Sequence, residues 1–169
     1  KHRLGQDNSV DGIEYGEVFY KNGVEISYHP AGHIIGSAQI RVAFEDQVWV
    51  CTGDYKIADD GVSQPYEAVP CDHLITESTF GMPIYKFPAF SHVYADINAW
   101  WRSNAAEGLN TVLLSYALGK AQNILAHLDT SIGEIYLHGA VANTNEALEQ
   151  VGYHFPGQRL SADVDRSKI

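Results

Sequence analysis

The feature that most constrains the fold is a change of rhythm at residues 82–88, Met-Pro-Ile-Tyr-Lys-Phe-Pro. Before it, apolar residues come in short runs, some alternating with polar ones, as in strands. Beyond it, they recur at helical spacing, interrupted by short apolar strand-like runs. Two prolines in seven residues suit neither a helix interior nor a central strand. The chain therefore reads as two units, 1–82 and 83–169, the first β-rich and the second α/β.

In the first unit, Glu17-Val18-Phe19-Tyr20 and Val24-Glu25-Ile26-Ser27-Tyr28 flank Lys21-Asn22-Gly23. Asn-Gly between two such runs predicts a hairpin, because both residues accept positive φ. A second hairpin is predicted from residues 37–44 and 47–52 around Glu45-Asp46. Its apolar run Val48-Trp49-Val50-Cys51 predicts a strand covered on both faces, with Cys51 a buried free thiol. A short strand, Leu74-Ile75-Thr76, leads into Glu77-Ser78-Thr79. In the second unit a helix is expected from a Ser91 cap to Gly108, with Val93, Ile97, Trp100 and Trp101 on one side. A buried strand at Thr111–Ser115, a helix opened by Gly119, a strand at Glu134–Leu137 and a helix starting at Asn143 or Thr144 follow. Strands alternating with helices imply a parallel sheet.

Hydrophobic residues make up 45% of the 169, enough for a buried core. With 11 Lys and Arg against 21 Asp and Glu the net charge is −10, which counts against a simple nucleic-acid-binding module. Cys51 and Cys71 form no CxxC pair and no disulfide framework, which places the chain in the reducing cytoplasm. No apolar run approaches the roughly 20 residues of a membrane span, and no membrane partner is expected. Residues 1–11 are polar and aperiodic and read as a loop or a cut end.

Chemistry concentrates in three places. In Ala31-Gly32-His33-Ile34-Ile35-Gly36-Ser37, a histidine sits on a glycine-bounded turn between strands, a good way to present a ring nitrogen to a metal. Thr52-Gly53-Asp54-Tyr55 exposes a carboxylate just past a strand, where segments converge on ligands. Thr76-Glu77-Ser78-Thr79-Phe80-Gly81 does the same with Glu77, which could orient a metal ligand or move a proton. Alone, His33 and Asp54 are more easily read as turn residues, and Glu77 reads equally well as a cap or turn residue. His29, four residues before His33, reads as support for the loop, since Pro30 and Gly32 exclude a helix there. His138 ends a strand, where a structural or substrate-facing role is expected. Gly119-Lys120 lacks the spacing of a P-loop.

These three segments resemble successive motifs of the β-CASP branch of the metallo-β-lactamase superfamily. Tyr116-Ala117-Leu118-Gly119-Lys120-Ala121-Gln122 is similar to the strand–turn–helix that opens the β-CASP lobe. The similarity runs from about Tyr28 to Gly139 and is closest to bacterial proteins described as mRNA 3′-end processing factor-like or DNA-ligase-associated exonucleases. It implies a partial αββα metallo-β-lactamase fold followed by part of a β-CASP α/β lobe with parallel strands. It implies His33 as a zinc ligand, Asp54 as the carboxylate bridging two zinc ions, and Glu77 as an acidic catalytic residue beside Asp54. The reaction implied is phosphodiester hydrolysis at DNA or RNA ends, with nucleic acid touched by Lys120, Ser78 and Thr79. An association with a DNA ligase is a further expectation.

The family's main metal motif, His-x-His-x-Asp-His, precedes the His33 segment. That spacing is absent among His2, His29, His33, His73, His92, His127, His138 and His154. The chain is therefore read as an internal fragment, expected to bind zinc weakly and to be inactive alone. Two other readings compete: a small-molecule hydrolase of the same superfamily, and a non-catalytic scaffold paralogue. The β-CASP-like segment speaks against the first, and retention of His33, Asp54 and Glu77 against the second.

Overall fold

The computed structural model describes residues 11–161. His2 and most of the expected N-terminal loop lie outside the described residues. The chain divides into two compact units between Lys86 and Phe87. Its architecture is mixed α/β, with parallel and antiparallel strand pairs and three helices among the described residues.

The first unit is a five-stranded sheet in the order β1 (Val18–Lys21), β2 (Val24–Pro30), β3 (Ala38–Phe44), β4 (Gln47–Cys51), β5 (His73–Ile75). Both predicted hairpins form. Asn22 at φ 54° and Gly23 at φ 80° make a tight turn between β1 and β2, the conformation that Asn-Gly accepts most readily. The β1–β2, β2–β3 and β3–β4 pairs are antiparallel, and β4–β5 is parallel. So β2, β4 and β5 run in one direction, and their C-terminal ends lie at one edge of the sheet.

The register divides the side chains between two faces. Ser27, Arg41, Val50 and Leu74 lie opposite one another across four strands, and Ile26, Val42, Trp49 and His73 form the neighbouring row on the other face. On the first face Ser27, Gln39, Val50 and Thr52 are buried. The segment after β4 covers this side. Gln39, with no exposed surface, donates from Nε2 to the carbonyls of Pro30 (2.9 Å) and Glu67 (2.7 Å).

The second face is largely apolar yet open. Trp49 is 45% exposed, and Ile40, Phe44, Ile75 and Cys51 are exposed too. The expected two-sided burial of β4 and the buried Cys51 thiol are therefore both corrected. Alternation sends Val50 inward and its neighbours Trp49 and Cys51 to the uncovered side. A continuous apolar run states that both faces avoid water, without stating what covers them.

In the second unit α1 spans Phe90–Ala106, α2 Lys120–Ala126 and α3 Gly139–Glu149. Strand β6 (Tyr136–Leu137) pairs in parallel with β7 (Gln158–Arg159) across α3, as the alternation of elements suggested. The core is Leu125, Leu137 and Ala142, with Leu128, Ile135, Val141 and Phe155 packed against it. Asn98 ties α1 to the end of α2. Its amide donates to the His127 carbonyl (2.9 Å), and its oxygen accepts from the Asp129 N–H (2.9 Å).

Three expectations fail here. Thr111–Ser115 is not a strand: no neighbouring segment hydrogen-bonds it in a ladder, and Leu114 is 92% exposed. Ser91 does not cap α1, which begins one residue earlier behind Ala89 without a side-chain cap. Helix α3 starts at Gly139, four residues before Asn143, because His138 caps it, its Nδ1 accepting from the Ala140 N–H (3.2 Å). Histidine is not among the usual capping residues, so the composition of the segment gave no warning. No helix among the described residues is long and apolar enough to cross a membrane.

Candidate metal centre

The turn bearing His33 bridges the end of β2 and the start of β3. The Ala31 N–H donates to the Ser37 carbonyl (3.1 Å), and the Ser37 N–H to the Ile34 carbonyl (3.0 Å). The Ser37 hydroxyl accepts from the N–H groups of His33 (3.1 Å) and Ile34 (3.2 Å), so a serine four residues on sets the backbone at the histidine. Tyr15 donates its hydroxyl to the Ser37 carbonyl (2.9 Å). Gly32 has φ 72°, and a Cβ there would lie 2.2 Å from the Lys56 carbonyl oxygen. Only glycine lets the two segments approach so closely.

That contact draws in the segment after β4. The Lys56 N–H donates to the Ala31 carbonyl (3.0 Å). Lys56 also pairs with the buried Asp60 carboxylate, which accepts from the N–H groups of Val62 (3.0 Å) and Ser63 (2.8 Å). Burial pushes the Asp60 carboxyl up, but Lys56 and the two N–H donors outweigh it, and the net shift is downward.

The common direction of β2, β4 and β5 brings the three predicted residues to one edge. His33 Nε2 lies 4.0 Å from Asp54 Oδ2, and both side chains are open to solvent. Glu77, two residues past β5, belongs to the same neighbourhood. Its carboxyl is held below the usual range chiefly by the N–H and hydroxyl of Thr79, with burial opposing. The charge of His33 and the N–H of Tyr55 lower it further. The Thr79 N–H donates to Glu77 Oε2 at 2.6 Å, a bond that favours the ionised carboxylate. Ser78 and Thr79 are exposed at this edge. Lys120 is exposed at the start of α2 in the second unit.

Two zinc-bound atoms can stand at most roughly 4.1–4.3 Å apart, and roughly 3.4 Å at the tetrahedral angle. The His33–Asp54 separation therefore fits two corners of one coordination sphere after a small side-chain closure. Among the described residues no group of three His, Cys, Asp or Glu is placed to hold a metal ion. Zinc sites take at least three protein ligands, so the His33–Asp54 pair alone is not a complete zinc site.

His29 is not part of it. Its Nδ1 lies 2.9 Å from Glu67 Oε1 and its Nε2 3.0 Å from Ser27 Oγ, so both ring nitrogens are engaged. In a neutral ring the carboxylate accepts from Nδ1–H, and Nε2 is then the acceptor for the serine hydroxyl. Serine, histidine and glutamate are linked here as in a hydrolytic triad. Ser27, however, is only 2% exposed, leaving no room for an acyl group at Oγ. The chain of bonds ties β2 to the segment that covers it.

Sequence reasoning passed over Gln122, Gln39 and Asp60. Gln122 is fully buried: its Oε1 accepts from the Gly119 N–H (2.7 Å), and its Nε2 donates to the Ala117 carbonyl (3.0 Å) and Asn145 Oδ1 (2.9 Å). It holds the turn before α2 against α3. Its place at the end of the Leu118–Gln122 motif was the available signal.

No family model matches the chain. It is 35% identical over 135 residues to a protein of Opitutus terrae named "Probable DNA ligase", covering 79% of this chain and 13% of that protein. It is 29% identical over 153 residues to "Endoribonuclease YSH1" of Yarrowia lipolytica, covering 85% of this chain and 18% of that protein. The Saccharomyces cerevisiae protein of the same name is 27% identical over 124 residues, 72% of this chain and 16% of its own length. The chain thus spans less than a fifth of the length of each of these relatives.

Proposed function

We propose that this chain is part of a zinc-dependent nuclease of the β-CASP branch of the metallo-β-lactamase superfamily, hydrolysing phosphodiester bonds of DNA or RNA. The observation that carries the reading is the convergence of His33, Asp54 and Glu77 from three separate segments at one sheet edge. The similarity to endoribonucleases supports an RNA substrate, and the similarity to a protein named as a DNA ligase supports a link to DNA ends.

When bound, zinc would supply Lewis acidity and a hydroxide-like water at neutral pH. His33 and Asp54 would hold it. Glu77, ionised and oriented by Thr79, is set to accept a proton beside them. Lys120, Ser78 and Thr79 would meet the nucleic-acid backbone. The open apolar sheet face around Trp49 would receive the remaining layers of an αββα fold, which also explains why β4 reads as covered on both faces. Two ligands alone make the isolated 169-residue chain a weak zinc binder without hydrolytic activity.

A zinc titration of the chain, followed through the His33 imidazole resonances, tests this. Weak uptake that Asp54→Ala abolishes is expected; tight uptake of two ions would overturn the incomplete site. In the longer protein, unchanged hydrolysis after His33→Ala or Asp54→Ala would overturn the metal assignment.

A further inference from the structure

Just past Glu77 the chain makes two successive turns. The Gly81 N–H closes the first on the Ser78 carbonyl (3.1 Å), and the Tyr85 N–H closes the second on the Met82 carbonyl (3.1 Å). Together they display large apolar side chains to solvent: Phe80 is 58% exposed and Tyr85 44%, and Met82 and Ile84 are exposed beside them. Phe80 and Tyr85 meet edge to face, with ring centroids 5.2 Å apart and planes at 82°. The positive edge of one ring against the negative face of the other holds both in a fixed orientation. A contiguous exposed apolar patch of this kind marks a surface against which something binds.

Position and charge identify the occupant. Phe80 follows Glu77 by three residues, a span of at most about 11 Å. The rings therefore adjoin the edge where His33, Asp54 and Glu77 meet. A stacked strand advances about 3.4 Å per nucleotide, which puts the rings within roughly three nucleotides of a phosphate at that edge. At net charge −10 the chain as a whole does not attract a polyanion. Affinity must then come from uncharged contacts, and aromatic rings against base faces are the sequence-tolerant form of these. Lys86, exposed next to Tyr85, offers a cation to a flanking phosphate.

We propose that Phe80 and Tyr85 form a stacking platform for an unpaired base of a strand passing the His33–Asp54–Glu77 edge, an inference that rests on the nuclease reading above. A base inside a duplex has both faces covered by its neighbours and must leave the stack to meet a protein ring. The platform therefore selects single-stranded nucleic acid at this position. Every base has a π face, so it accepts any sequence, in DNA or in RNA.

The test is fluorescence anisotropy of labelled single-stranded oligo(dA) with the 169-residue chain in the absence of zinc, beside an abasic strand of equal length and a duplex. Oligo(dA) is expected to bind, and the abasic strand and the duplex at least about fivefold more weakly, the smallest change that loss of one stacked base produces. Phe80→Leu keeps an apolar side chain but removes the ring, and should weaken oligo(dA) by the same factor or more. Phe80→Trp should retain binding. Phe44→Ala removes an equally exposed ring at the opposite edge of the sheet and should change nothing. Affinity should fall only gently with salt, as for one or two phosphate contacts. No binding of oligo(dA), equal binding of the abasic strand, an unaffected Phe80→Leu chain, or a steep fall with salt would overturn the proposal. Neither zinc nor cleavage enters this measurement. Its failure leaves the nuclease reading to the zinc titration, and loss of the metal assignment leaves the stacking result intact.

Discussion

Replacing Gly32 with alanine adds one methyl group where the structure has no room. At φ 72° any L residue loses roughly 1–2 kcal/mol relative to glycine. The lower entropy of alanine in the unfolded chain returns about 0.4–1 kcal/mol. To this the site adds a collision: the new Cβ would lie 2.2 Å from the Lys56 carbonyl oxygen and 3.1 Å from the Tyr66 nitrogen. Both are backbone atoms, so no rotamer change relieves the contact. The covering segment must retreat by most of an ångström. That strains the Lys56 N–H bond to Ala31 and the Glu67 N–H bond to Pro30, each contributing about 1 kcal/mol. The expected loss is about 3 kcal/mol. Gly36 is the control: it has φ 79° with nothing within 4 Å of its Cβ position, so Gly36→Ala should cost only about 1 kcal/mol. Urea unfolding reads the difference. In a Trp100→Phe, Trp101→Phe background, Trp49 reports on the first unit alone, its ring stacked on His73 at 4.0 Å. Equal losses of midpoint in the two alanine variants would refute the close-approach argument.

The Asp60 carboxyl titrates below its ordinary value, so its contribution to stability is present above the unfolded value of about 3.9 and is lost as pH falls through the folded one. Urea midpoints measured from pH 6 to pH 2 should fall over that acid range, and Asp60→Asn should flatten the decline. Gln122→Leu removes three hydrogen bonds around one buried side chain and leaves the Gly119 N–H without its acceptor. A loss of roughly 2–4 kcal/mol is expected in the second unit, with faster amide exchange at Gly119. Cys51 is exposed and Cys71 half-buried, so a maleimide should label Cys51 first in the folded chain. Labelling only after unfolding would restore the buried-thiol expectation.

Local chemistry made much of the first unit legible. Asn22-Gly23 specifies its turn through the positive φ that both residues accept, and alternation places the strands on either side. Glycines and a serine around His33 announce a tight turn whatever lies beyond it. The grouping of His33, Asp54 and Glu77 needed more. Successive members of the trio lie more than twenty positions apart, and they meet because β2, β4 and β5 point the same way, which follows from pairing rather than composition. Residues such as His29 and His138 have the same chemistry on paper. A distant segment supplies Glu67 to the first beside its strand neighbour Ser27, whereas the second caps α3 through the N–H of Ala140, only two residues on. Burial is settled at the tertiary level. The runs Val48–Cys51 and Thr111–Ser115 record an aversion to water, but a side chain is buried only where another layer covers it, and that depends on atoms distant in sequence.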